Sequence, residues 1–160
     1  MKPLTISFFL SFCFSIQSLG ETLYSTVLSS PPEGQLFYTY LIDNNNNILN
    51  EWEHEECVAH TPYLTSDSIL VRPARVSQTF FNAGGVGGQI EKIDWDGNIL
   101  WNYLFANTTY QQHHDIEILP NGNILFISFS RKSQEDALLA GKYQQTNDVW
   151  SESIFEIQPV

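Results

Sequence analysis

His113-His114-Asp115 is the densest group of proton-transferring side chains in a chain with only four histidines. An imidazole accepts or releases a proton near neutral pH and is a competent nucleophile. A neighbouring carboxylate can hold one imidazole tautomer, as the acid does in a catalytic triad. His114 opens an alternating run, His114-Asp115-Ile116-Glu117-Ile118-Leu119, so the group should sit at the start of a strand. Neighbours in a strand point to opposite faces. One imidazole should therefore face a site while the other packs, and His114 is taken as the inward one. Two other readings stay open from the residues alone: structural histidines bonded to loop carbonyls, and a metal site built on all three residues.

The elements that must position this group are short strands, because helical periodicity is nearly absent. Residues 36–42 are followed by Asp43 and four asparagines, then by Ile48-Leu49-Asn50-Glu51-Trp52. Residues 89–94 alternate, turn at Trp95-Asp96-Gly97-Asn98, and return as Ile99-Leu100-Trp101-Asn102-Tyr103. The histidine run enters Pro120-Asn121-Gly122-Asn123 and returns from Ile124. Asp-Gly and Asn-Gly between alternating runs mark hairpins, because these residues accept the positive φ of tight turns. Residues 133–141 predict one short helical turn. Trp52, Trp101 and Tyr103 are expected in the core.

The runs also repeat. Ile42-Asp43 with Ile48-Leu49 aligns with Ile93-Asp94 and Ile99-Leu100 at an offset of 51, and Ile69-Leu70 aligns with Ile124-Leu125 at an offset of 55. A third copy begins at Ile154-Phe155-Glu156-Ile157. A period of about 50 residues with four short strands per copy predicts an all-β chain of β-propeller blades. The repeats span about residues 36–75 and 88–130, with the third starting near 153. Two blades and part of a third do not close a ring, so the chain reads as the N-terminal part of a longer propeller.

Residues 1–20 have the layout of a secretory signal peptide. Lys2 precedes an apolar run to Ile16, and Ser18-Leu19-Gly20 offers small residues for cleavage. Residues 21–160 would then be the mature domain, exported to a periplasm or secreted, with no further membrane span. Cys13 falls in the leader, so residues 21–160 can form no internal disulfide. Eighteen acidic residues against seven basic ones give a formal charge of −11, which argues against nucleic acid or an anionic membrane as a partner. Several smaller features have plain readings. Gly84-Gly85-Val86-Gly87-Gly88 is a linker or a point of close backbone approach. Asp94 to Asn98 is a hairpin turn, since it lacks the glutamate that would complete a calcium loop. His54 among Glu53, Glu55 and Glu56 reads as a solvated edge. Asn107-Thr108-Thr109 is a glycosylation sequon.

Several phrases together resemble the arylsulfotransferase family. They are Tyr40-Leu41-Ile42-Asp43 leading to Trp52, Gly87-Gly88-Gln89-Ile90 leading to Asp94-Trp95-Asp96-Gly97, and above all His113-His114-Asp115-Ile116 with Leu119-Pro120-Asn121-Gly122-Asn123-Ile124-Leu125. The likeness extends over about residues 22–160. It implies a six-bladed propeller that moves a sulfuryl group from an aryl sulfate to a phenol through a sulfohistidine, without a cofactor. It also implies that His113, His114 and Asp115 belong to the first active-site block, which helps hold the sulfuryl group. The family's later His-x-Asn and Ser-Ser-Arg motifs and its nucleophilic histidine have no counterpart here. His60 lacks an asparagine two residues on, and Phe129-Ser130-Arg131 falls in the wrong blade. The chain alone should then be inactive. The alternative is an exported, non-catalytic propeller that binds a ligand or partner.

Overall fold

A computed structural model describes residues 22–25, 36–81, 84–143 and 148–160. The proposed leader, residues 1–20, lies outside the described residues. Among the described residues three antiparallel sheets follow one another. The first contains β1 (Thr22–Ser25), β2 (Phe37–Ile42) and β3 (Ile48–His54). The second is a meander of β4 (Tyr63–Leu64), β5 (Leu70–Arg75), β6 (Gly88–Ile93) and β7 (Ile99–Leu104). The third pairs β8 (Tyr110–Ile118), β9 (Ile124–Lys132) and β10 (Val149–Ile157). A short helix, α1 (Gln134–Leu139), is capped by Ser133, whose side chain accepts from the Asp136 amide. The fold is all-β, as the alternating runs predict. No helix among the described residues is long and apolar enough to cross a membrane.

Four hairpins use one turn, and it falls where the sequence places its asparagines, aspartates and glycines. The first turn residue donates its amide to the carbonyl four residues on: Asp43 to Asn47 at 3.0 Å, Thr65 to Ile69 and Asp94 to Asn98 at 2.9 Å, and Leu119 to Asn123 at 2.8 Å. The fourth residue donates back to the first and takes a positive φ: 65° at Asn46, 63° at Ser68, 91° at Gly97 and 83° at Gly122. This is the three-residue hairpin loop that needs one left-handed residue. At Asp43 and Asp94 the carboxylate accepts the amides two and four residues on and the side-chain amide of Asn47 or Asn98. Those hydrogen bonds hold both carboxyls below the usual range.

The repeat extends to the pairing. Ile42 faces Ile48 across a bulge, and 51 residues on Ile93 faces Ile99 across another. Ile48-Leu49 and Ile99-Leu100 occupy equivalent edge strands of different sheets. The second offset is 54 rather than 55. Val58 bridges Ala74 just as Gln112 pairs with Ser128 (58 to 112, 74 to 128), and Leu64 pairs with Leu70 just as Ile118 pairs with Ile124. Aligning the isoleucine pairs overshoots by one residue, because Ile69 closes its turn and Leu70 is the first strand residue. The third copy is β10, which pairs with β9 as β6 pairs with β5. The sheets do not divide the chain where the sequence repeats do: each repeat joins the end of one sheet to the start of the next.

Each sheet buries one face against its neighbour. Leu41 and Trp52 meet Leu64, Leu70 and Ile93 between the first and second sheets. Val71 and Ile90 meet Ile116, Ile124 and Phe126 between the second and third, flanked by Trp101, Tyr103 and Phe155. Trp52 is 1% exposed and donates its indole N–H to the Asp94 carbonyl at 2.8 Å, which joins the first sheet to the second sheet's turn. Trp52→Ala should destabilise the chain by about 3–5 kcal/mol, whereas truncating the exposed Leu49 should change stability by no more than about 0.5 kcal/mol. Urea unfolding of both variants measures the difference.

His54 is not the solvated edge expected from its acidic neighbours. It shares the inward face of β3 with Trp52, two residues away, and its Nε2 lies 2.9 Å from the Thr39 hydroxyl. Burial, and then the charge of the nearby buried Arg72, lowers its pKa to about 3. Because the folded pKa lies below the unfolded value of 6.5, the unfolded chain binds the extra proton. This contribution to stability is complete above pH 6.5 and is lost progressively as pH falls toward 3. Replacing His54 with leucine should flatten the pH dependence of unfolding free energy across that window. An unchanged slope would show that His54 titrates normally in the fold.

Candidate functional site

The site begins with a failure of strand alternation. The β8–β9 register shifts between Gln112 and Ile116, and within that bulge His114 takes φ 52°. A left-handed residue turns its side chain out of the pleat. The two imidazoles therefore do not point to opposite faces: their Nδ1 atoms lie 2.7 Å apart. His113 is buried, and its ring stacks on Phe129 with centroids 3.7 Å apart. Its Nε2 meets a carboxylate oxygen of Glu152 on β10, also at 2.7 Å. Burial lowers the pKa of His113 and the Glu152 contact opposes that shift.

The glycine segment is the wall of this site and not a slack linker. Val86 bridges His113, Gly85 accepts the His114 amide at 2.6 Å, and Gly87 donates to the Gln112 carbonyl at 3.1 Å. Two fully buried glutamines fasten it. Gln111 accepts the amides of Phe80 and Phe81, and Gln112 accepts the Gly88 amide at 2.9 Å. Gly85 must be glycine on two counts. It has φ 70°, and a Cβ there would lie 2.3 Å from His114 Nε2.

Asp115 does not hold either neighbouring imidazole. It accepts the Tyr63 hydroxyl at 2.9 Å, and its carboxylate lies 3.7 Å from His60 Nδ1. The bulge that turns His113 and His114 together sends Asp115 toward β4. A metal site on His113, His114 and Asp115 loses its third ligand for the same reason. Among the described residues no group of three His, Cys, Asp or Glu is placed to hold a metal ion. Arg131 pairs with Asp148.

His60 is the residue that sequence reasoning passed over. Its ring centroid lies 6.0 Å from that of His114, and about two-fifths of its side chain is exposed. Its Nδ1 lies 2.9 Å from the Thr61 hydroxyl. His60 and His114 are equivalent positions of the repeat, each five residues ahead of its turn at Thr65 or Leu119. An alignment made on the turns instead of the isoleucine pairs would have matched them. The sheets thus bring His60 and Tyr63, at the start of β4, beside His114 and Asp115, with His113 and Glu152 bonded in line to His114. The histidine pair lies in the middle of β8 and not at the start of a strand as the alternating run predicts, because β8 already begins at Tyr110. No family model matches the chain, and no curated protein matches it.

The glycine wall can be tested directly. Gly85→Ala should cost about 1–3 kcal/mol, since it adds strain at a positive φ and a clash with an imidazole. It should also displace His114. Thermal melts give the first quantity and the histidine ring NMR signals the second. A variant with wild-type melting and unmoved His114 signals would mean that the approach is looser than described.

Proposed function

We propose that the chain is the N-terminal part of an exported β-propeller enzyme of arylsulfotransferase type, with residues 1–20 as its cleaved leader. In this reading β4 and β8 are the inner strands of successive blades. The single observation that carries it is the meeting of His60 and His114, equivalent residues of two repeats, with ring centroids 6.0 Å apart. Side chains from the same position of successive inner strands converge on a propeller's axis, which is where a small substrate would enter. The substrates are an aryl sulfate and a phenol.

The chemistry suits the residue types. Sulfuryl transfer spreads negative charge over three oxygens, and positioned imidazole N–H groups stabilise that charge without reorganising. The Asp115 carboxylate lies 3.7 Å from His60 Nδ1 at the edge of this cluster. A chain with a formal charge of −11 repels anions at long range, so an aryl sulfate needs such a local cluster. The nucleophilic histidine implied by the resemblance would be supplied by further blades, and the transfer reaction requires them.

The test is phenol release from an aryl sulfate, with and without a phenol acceptor, in a form of the protein carrying the complete propeller. His114→Ala and His60→Ala should each slow transfer by about 10²–10³, by analogy with loss of an oxyanion-hole donor. His113→Ala should lower stability by roughly 1–3 kcal/mol. Full activity in both His60 and His114 variants would make the cluster structural and leave the non-catalytic binding module as the better reading.

A further inference from the structure

Glu152, His113 and His114 form a continuous line of hydrogen bonds whose direction is determined at one end. A carboxylate at neutral pH only accepts. At 2.7 Å from Glu152, His113 Nε2 must therefore carry its hydrogen. A neutral imidazole has one N–H and one lone pair, which leaves His113 Nδ1 as an acceptor. The contact of 2.7 Å between the two Nδ1 atoms holds one hydrogen, and it must come from His114. Neutral His114 is then protonated on Nδ1 and bare on Nε2.

We infer that Glu152, acting through His113, sets the tautomer of His114 and leaves His114 Nε2 as a proton-accepting atom at the site. His113 cannot easily break the chain by becoming doubly protonated, because its ring is buried and stacked on Phe129. The groups around His114 do not compete for its Nδ1. Gly85 accepts its backbone amide, its carbonyl accepts from Gln112 Nε2 at 3.2 Å, and the Asp115 carboxylate turns to Tyr63 and His60. Glu152 is 64% exposed along its side chain, so its contribution is directional, not a large stabilisation.

The consequence for chemistry rests on the sulfuryl-transfer reading. A bare Nε2 cannot donate to a sulfuryl oxygen. It can take the proton of an incoming phenol: the phenol O–H bond breaks and an N–H bond forms at Nε2. The phenolate then forms an O–S bond as the S–N bond of the sulfohistidine breaks and that imidazole leaves. The proton on Nε2 passes to the phenolate released when the next aryl sulfate gives up its sulfuryl group. The positive charge gained by His114 faces His113, whose other nitrogen is tied to the Glu152 carboxylate. Once protonated, His114 becomes the oxygen-binding donor described above. His114 would be the catalytic group, and His113 and Glu152 positioning residues.

The tautomer can be read without any activity. The chain has four histidines, so ring-nitrogen NMR of protein labelled with ¹⁵N-histidine gives few signals. At about pH 8.5, two units above the ordinary histidine pKa of ~6.5, His114 should show a protonated Nδ1 and a bare Nε2, with the reverse in His113. Glu152→Lys presents only donors at that position and should exchange the two assignments. Glu152→Ala should leave mixed or averaged signals and covers the case in which the lysine variant folds poorly. The inference is overturned if wild-type His114 carries its hydrogen on Nε2, or if the ring signals are unchanged in the variants. Failure of aryl sulfate turnover would count against the sulfuryl-transfer reading and leave the tautomer result standing.

Discussion

The arrangement of the site depends on one backbone event, the bulge in β8 where His114 adopts φ 52°. Regular pleating would separate His113 from His114 across the sheet. The bulge instead brings their Nδ1 atoms together and sends Asp115 toward β4. A non-glycine residue in the left-handed region is uncommon and persists only where its surroundings over-determine it. Here they do. Gly85 accepts the His114 amide and leaves room for its ring, and Gln111 and Gln112 hold the glycine segment in place from within the core.

The glutamines show why a polar core suits this position. Strand β8 needs a partner along the edge not used by β9, and the segment ending at Gly88 is irregular. Irregular backbone carries amides and carbonyls that have no ladder to join, and burying them without partners is costly. Gln111 and Gln112 satisfy several of these groups while being fully buried themselves. The equivalent positions in the preceding repeat are Cys57 and Val58, also buried. There Val58 bridges Ala74 and the Arg75 amide bonds to the Cys57 carbonyl, as Gln112 pairs with Ser128 in the later repeat. The backbone pairing is shared by the two repeats, and what the later one adds is two amide side chains that bond to the glycine segment beside it.

The same contrast separates His60 from His114. Both stand five residues before their turns. The residue before His60 is Ala59, while the residue before His114 is His113. Only the later repeat therefore backs its imidazole with a second ring and, through it, a carboxylate from a third strand. His60 instead has Asp115, contributed by the other repeat. A duplicated position thus sits in two electrostatic settings.

The sequence by itself determined the class of fold and the places where the chain reverses. Alternation of apolar residues and turn residues that tolerate positive φ are local properties, and they identified the strands, the hairpins at Asp43, Asp94 and Leu119, the short helix and the repeat. It also picked out the His113-His114-Asp115 group. It could not give the bulge, because the pleat rule assumes an unbroken strand, and the Gly85 contact that stabilises the break comes from nearly thirty residues away. It could not give His60, His54 or Glu152 their roles either. Burial of His54 depends on which face of β3 meets the second sheet, and the partnership of Glu152 with His113 depends on the β9–β10 register. Those are long-range packing decisions, made where sheets meet, and no window of neighbouring residues contains them.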